Sequence, residues 1–180
     1  MRCAVFLDRD GVLSIPEFRD GRSFAPTRLE DFRLYPDASA SVARLKAVGF
    51  VVIVATNQPD VTAGKMSAAT LEAMHQRLRR DCDVDAIEVS TAIRAQPDRR
   101  RKPNPGMLLD AAAAWELDLA ASYMVGDRTS DIACGRAAGC RTVFIDLDYT
   151  NEAAPTGQDA TVANLAEAVD WIREDMRTRG

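Results

Sequence analysis

Short apolar runs of strand length alternate with stretches of helical spacing from one end of the chain to the other, and no other feature limits the fold as tightly. The runs fall at 3–7, 50–55, 87–91, 123–125 and 142–145. The Phe-Val-Val-Ile-Val-Ala run at 50–55 is apolar throughout, the pattern of a strand covered on both faces. Helices are predicted between the runs. One spans 36–48, with Pro36 in its first turn and Gly49 as its stop. Ser67 can cap another that reaches about Arg80 and lines up Leu71, Met74 and Leu78. Pro105 opens a third through Leu117, and 130–138 ends at Gly139. Val162, Leu165, Val169, Ile172 and Met176 form the core-facing stripe of a last helix. Strands and helices in this alternation build a parallel sheet with right-handed crossovers. The predicted fold class is therefore α/β: one Rossmann-like, three-layer α/β/α domain over 1–180 with a mainly parallel central sheet. A chain of 180 residues can bury a sizeable core of this kind.

Two irregular segments, at about 9–35 and 92–104, leave the first and third strands on the edge where open parallel sheets bind ligands. They are expected to form site loops rather than a second domain. The polar stretch 150–159 reads as a mobile connector.

Composition removes several classes of function. A net charge of −4 lacks the basic excess of a nucleic-acid surface. No apolar run approaches the ~20 residues of a membrane span, and the N-terminal run is too short for a signal peptide. Cys3, Cys82, Cys134 and Cys140 lie far apart without C-x-x-C spacing, so they are expected as reduced, mostly buried small side chains. The expectation is a cytoplasmic monomer whose partner is a small soluble molecule, with neither nucleic acid nor membrane involved.

The polar residues that close the strands carry the chemistry. The first run ends in Asp8-Arg9-Asp10-Gly11. With 19 aspartates, about two D-x-D pairs arise by chance, and Asp81/Asp83, Asp83/Asp85 and Asp146/Asp148 read as solvated turns or strand ends. Only Asp8 and Asp10 close an N-terminal apolar strand and precede a glycine, where backbone can approach a ligand. The second run ends in Thr56-Asn57-Gln58, whose hydroxyl and backbone N–H groups can hold a phosphate oxygen, although alone it reads as a plain polar turn. Arg99, Arg100, Arg101 and Lys102 stand before the helix opened by Pro105, where a lysine can neutralise a phosphoryl group and an arginine can fork onto its oxygens. The fourth run leads into Gly126-Asp127-Arg128-Thr129-Ser130-Asp131, with Asp127 and Asp131 one helical turn apart. Asp127 or Ser130 could instead simply cap the helix. Taken together and in order, these features suit Mg²⁺, which takes a few carboxylates, waters and a substrate phosphate. His75 is the single histidine and no Gly-x-Ser-x-Gly turn occurs, so a Ser/His/Asp hydrolase is not expected. Trp115 and Trp171 fall in helical patterns as packing residues.

These motifs resemble those of the haloacid dehalogenase superfamily of phosphohydrolases: Asp8-Arg9-Asp10-Gly11-Val12, Thr56-Asn57, Lys102-Pro103 and Gly126 to Asp131. Segments 6–11, 56–58, 101–107 and 123–128 resemble the branch without an inserted cap domain, which holds heptose-1,7-bisphosphate and histidinol-phosphate phosphatases. The similarity covers about 5–145. It implies Asp8 as nucleophile and Asp10 as general acid and then base. It implies Mg²⁺ held by Asp8, the Asp10 carbonyl and Asp127, with Asp131 in support. Thr56 and Lys102 would bind the transferring phosphoryl oxygens, while Asn57, Arg101 and Arg128 are candidates for the rest of the substrate. Heptose 1,7-bisphosphate is the first substrate it suggests; histidinol phosphate or another sugar phosphate is the alternative, and a binding module on the same fold the non-enzymatic one.

The chain also departs from that branch. Many members hold a structural zinc on cysteine and histidine just ahead of Arg-Lys-Pro. Here Ser90, Ala92, Asp98 and Arg100 stand at those places, and no zinc is expected. Segment 14–26, which shapes specificity in cap-less members, does not reproduce the heptose-enzyme pattern, and Arg19 and Arg22 read as solvated arginines.

Overall fold

The structure, a computed structural model, describes residues 2–179. Six parallel strands form the central sheet in the order β5-β4-β1-β6-β7-β8. In chain order these are β1 (Ala4–Leu7), β4 (Val51–Asn57), β5 (Ala86–Ser90), β6 (Tyr123–Gly126), β7 (Arg141–Ile145) and β8 (Ala160–Val162). Between β1 and the first helix a separate antiparallel hairpin pairs β2 (Glu17–Arg19) with β3 (Arg22–Phe24). The helices are α1 (Ala38–Ala47), α2 (Ala68–Cys82), α3 (Gly106–Trp115), α4 (Thr129–Ala138) and α5 (Leu165–Arg179).

The two-residue period of the strands sorts the core into two layers. Val5, Leu7, Val52 and Val54 face one way, onto Val42 and Leu45 of α1, Met74 and Leu78 of α2, and Val169 and Ile172 of α5. Ala4, Phe6, Val51 and Ile53 face the other way, onto Met107, Leu108 and Ala111 of α3 and Cys134 of α4. Both faces of β1 are thus completely buried, which is why its sequence is apolar without interruption. Truncating Phe6 to alanine would cost about 3–5 kcal/mol.

Local chemistry sets the helix ends. Ser67 Oγ accepts from the Thr70 amide at 2.9 Å and starts α2. Gly139 closes α4 at φ 85°, a left-handed conformation that suits a residue without Cβ.

Two details differ from the sequence reading. Val162 is not part of the last helix but pairs with Ile145 in β8, an edge strand of three residues too short and too exposed to leave a pattern. Met176 accordingly lies 38% exposed beyond the buried part of its helix. Segment 150–159 has no regular structure over most of its length, yet it is tied down: Glu152 accepts from the Thr129 amide and the Ala153 carbonyl from the Thr129 hydroxyl.

Candidate active site

Strands β4, β1 and β6 are neighbours at the middle of the sheet, so the residues that follow them share one small volume. Asp8 follows β1 and its amide donates to the Val125 carbonyl at 3.0 Å. Asp127 follows β6, and Asp131 lies one turn into α4. Asp8, Asp127 and Asp131 each offer a carboxylate oxygen within 4.8 Å of the others, and all three side chains are buried. Gly11 makes this approach possible: at φ 95° its backbone runs against the Asp127 carboxylate, where a Cβ would collide with Oδ2.

Lys102 enters from the loop before α3. Its ammonium lies 2.9 Å from Asp8 Oδ1 and 2.5 Å from Asp131 Oδ1, and donates to the Ala55 carbonyl at 2.7 Å. Burial opposes its charge, but Asp131 and Asp8 outweigh that and hold its proton more tightly than usual. Burial first, then the charges of Asp8 and Asp131, pushes the Asp127 carboxyl well above the ordinary range. Burial likewise raises Asp131 in spite of Lys102.

Three carboxylates thus share a buried volume with one ammonium, which pairs with Asp8 and Asp131. Asp127 Oδ1 is buried without a hydrogen-bond partner among the described residues, while Oδ2 accepts from the Tyr149 hydroxyl. An excess of buried negative charge and an unpartnered oxygen fit a hard divalent cation with oxygen ligands.

Asp10 lies outside this carboxylate cluster. Its Oδ2 accepts from Gln58 Nε2 at 2.8 Å and its Oδ1 from the Ser14 hydroxyl at 2.8 Å. Arg9 Nε reaches both oxygens, and Arg9 Nη2 stands 2.9 Å from Oδ2. Arg9 is completely buried, with its guanidinium over the Phe32 ring and 3.5 Å from His75 Nε2. Burial and the Arg9 charge lower the His75 imidazole to about 4, so this histidine is neutral packing beneath Arg9. Thr56, buried at the end of β4, accepts from the same Gln58 amide at 2.9 Å, so its own O–H is left to donate.

The other sequence candidates take different positions. Asn57 clamps the Lys102 backbone: Nδ2 donates to its carbonyl and Oδ1 accepts from its amide, both at 3.0 Å. Arg101 donates to the Ala92 carbonyl at 2.7 Å, and burial together with nearby Arg94 weakens its hold on its proton. Arg128 donates to the Ser23 carbonyl at 3.0 Å and pairs with Glu152 at 3.2 Å, so it joins β3 to the segment after β7. Arg9, Gln58 and Tyr149 received no role from the sequence reading. For Arg9 a signal existed: a cation between two carboxylates at a strand end must be paired if buried.

The loop between β5 and α3 is held by polar contacts. Ser90 Oγ donates to Asp98 Oδ2 at 2.6 Å, and Asp98 Oδ1 accepts from the Arg100 amide at 2.7 Å. Arg100 then spans Glu88 and Asp110, each at 2.6 Å.

Known proteins resemble this chain in sequence and in fold. A family model described as HAD-hydrolase-like matches residues 99–168. A D-glycero-D-manno-heptose-1,7-bisphosphate 7-phosphatase of Thermosynechococcus vestitus is 33% identical, with 99% of each chain covered. A D-glycero-beta-D-manno-heptose-1,7-bisphosphate 7-phosphatase of Pseudomonas aeruginosa is 35% identical, covering 80% of this chain and 81% of that one. Among solved structures, a D,D-heptose 1,7-bisphosphate phosphatase of B. bronchiseptica, complexed with magnesium and phosphate, superposes with a TM-score of 0.82. It is 27% identical, with 97% of this chain and 99% of that chain covered.

Proposed function

The chain belongs to the HAD-like hydrolases, in the group that holds the heptose-1,7-bisphosphate 7-phosphatases, and is a phosphoric monoester hydrolase; we propose that it removes one phosphate from a small sugar bisphosphate by way of an acyl phosphate on Asp8. The observation that carries this reading is the buried cluster of Asp8, Lys102, Asp131 and Asp127 gathered around the ends of the neighbouring strands β1 and β6.

In the first step a carboxylate oxygen of Asp8 attacks phosphorus, and the bond from phosphorus to the sugar oxygen breaks. That oxygen takes a proton from Asp10, which releases the sugar alcohol. In the second step water attacks the same phosphorus and gives a proton back to Asp10. The phosphorus–Asp8 bond breaks, freeing inorganic phosphate and the carboxylate. Lys102 offsets the charge of the nucleophile and the transferring group, and the free Thr56 O–H donates to a phosphoryl oxygen. Mg²⁺, held by Asp8, the Asp10 carbonyl and Asp127 with Asp131 in support, would screen the anionic phosphate from the anionic nucleophile.

Heptose 1,7-bisphosphate is the substrate in this reading, with the names of the relatives and the fit of the B. bronchiseptica structure in support. The second phosphate falls to Arg101 rather than Arg128. Arg128 already has Glu152, whereas neither Arg101 nor Arg94 has a carboxylate within ion-pair distance among the described residues. Asn57 acts here through Lys102 and not on the substrate. The reading includes no zinc, because segment 90–100 holds neither cysteine nor histidine and the loop has polar ties of its own. It also places a monomer in the cytoplasm. No helix among the described residues is long and apolar enough to cross a membrane, and the four cysteines are free.

The test is phosphate release with Mg²⁺ from both heptose 1,7-bisphosphate anomers, histidinol phosphate and a generic aryl phosphate. Turnover of the heptose ester near ~10⁴ M⁻¹s⁻¹ or above, abolished in Asp8→Asn, is expected. Undiminished turnover in Asp8→Asn overturns the mechanism, and a preference for histidinol phosphate overturns the substrate.

A further inference from the structure

The segment after β7 places Tyr149 between the hairpin and the carboxylate cluster. Its ring lies 5.6 Å from that of Phe18 on β2, at an interplanar angle of 46°. The Arg128 guanidinium covers the same ring at 5.6 Å. Its hydroxyl donates to Asp127 Oδ2. Phe18 itself is 53% exposed, so Tyr149 and Arg128 together connect the hairpin to the interior on this side.

The hydroxyl divides the two oxygens of one carboxylate between two tasks. Oδ2 is engaged by Tyr149, and Oδ1 is buried with no partner among the described residues. A carboxylate held in this way offers a cation one oxygen, not two. Mg²⁺ demands near-octahedral coordination and tolerates crowding poorly, whereas Ca²⁺ accepts six to eight oxygens and often takes a carboxylate through both. We propose that Tyr149 is a positioning residue for the metal: by occupying Asp127 Oδ2 it limits Asp127 to a single ligand oxygen and so favours a small divalent cation over Ca²⁺. The proposal rests on the metal site of the reading above but not on its substrate. Phe18 and Arg128 flank the ring, while the contact with Asp127 is made by the hydroxyl alone.

The test needs no substrate. Mn²⁺ binding, read by loss of the free-ion EPR signal, stands in for Mg²⁺, and Ca²⁺ affinity is read by competition. Wild type, Tyr149→Phe, Tyr149→Leu and Phe18→Leu are compared, each first checked for its fold by circular dichroism. Removing a hydrogen-bond partner of a metal ligand commonly weakens binding by about 10-fold or more. Tyr149→Phe keeps the ring but loses the donor, so Mn²⁺ affinity is expected to fall by about 10-fold while Ca²⁺ affinity holds or rises. Tyr149→Leu should show the same narrowing of selectivity and carries the test if the phenylalanine variant fails to fold. Phe18→Leu keeps the hydroxyl and should retain the wild-type ratio of the two affinities. Equal losses for both ions would make Tyr149 a packing residue and overturn the proposal, as would Mn²⁺ and Ca²⁺ affinities within about twofold of wild type. Failure of the wild type to bind Mn²⁺ would instead overturn the metal site itself.

Discussion

Replacing Lys102 with methionine removes the ammonium that faces Asp8 and Asp131 while keeping a side chain of similar length. The three side chains are 2%, 10% and 0% exposed, so water cannot replace what is lost. Removing one partner of a buried ion pair typically costs about 3–5 kcal/mol, because a charge is left buried and uncompensated. Here one ammonium serves two carboxylates, so the metal-free variant should lose at least about 3 kcal/mol at pH 8. For a chain of this length that corresponds to a midpoint lower by roughly 6–12 °C. The sign of the pH dependence follows from the acids left behind. Asp127 and Asp131 are already raised above their usual value of 3.8, and loss of Lys102 raises Asp131 further. An acid raised in the folded state binds its proton more tightly there than in the unfolded chain. Stability of the variant therefore falls as pH rises from that value toward the folded one. In the wild type Lys102 supplies its part at every pH below its usual 10.5. A divalent ion that binds only the folded chain should restore about 2.7 kcal/mol at 100 times its Kd. Urea unfolding at pH 5 and pH 8, with EDTA and with excess Mg²⁺, measures all of these. A loss under about 1 kcal/mol at pH 8, or one that does not depend on pH, would refute the claim that the ammonium balances buried charge.

Arg9→Met should leave the hydrogen bonds of Gln58 and Ser14 to Asp10 but free its carboxylate to turn. A drop of about 10²-fold in kcat on a sugar phosphate is expected, and a much smaller one on an aryl phosphate whose leaving group needs no acid; equal losses would refute a positioning role. His75, lowered to about 4 from 6.5 by burial and Arg9, binds its proton first in the unfolded chain. Its contribution is complete above pH 6.5 and is lost as pH falls toward 4, so the stability gap between wild type and His75→Gln should narrow or reverse in that window. A gap in urea midpoint that stays constant from pH 7 to pH 4.5 would contradict this, since Asp127 and Asp131 contribute alike to both proteins.

What could be read from the sequence and what could not divide along the sheet. A strand covered on both faces has to be apolar, so β1, β4 and β6 show themselves, and the residue after each last apolar position must stand at the sheet edge. That is enough to bring Asp8, Thr56 and Asp127 together before any contact is known. Edge position has the opposite effect: β8 buries little, carries no pattern, and went unread. The loop residues were hidden for a different reason. Tyr149 meets Asp127 from 22 positions away, and Arg128 meets Ser23 from 105. Neither pairing has a spacing, since each depends on where two irregular segments happen to cross over the edge. Arg128 illustrates the consequence: next to a buried strand-end aspartate it looks like a substrate ligand, but Glu152 and the Ser23 carbonyl already hold it. Strand ends therefore gather the carboxylates, while contacts between hairpin and loop surround them with partners that no spacing announces. It is at Tyr149, where a loop residue grips a strand-end carboxylate, that the two depend on each other.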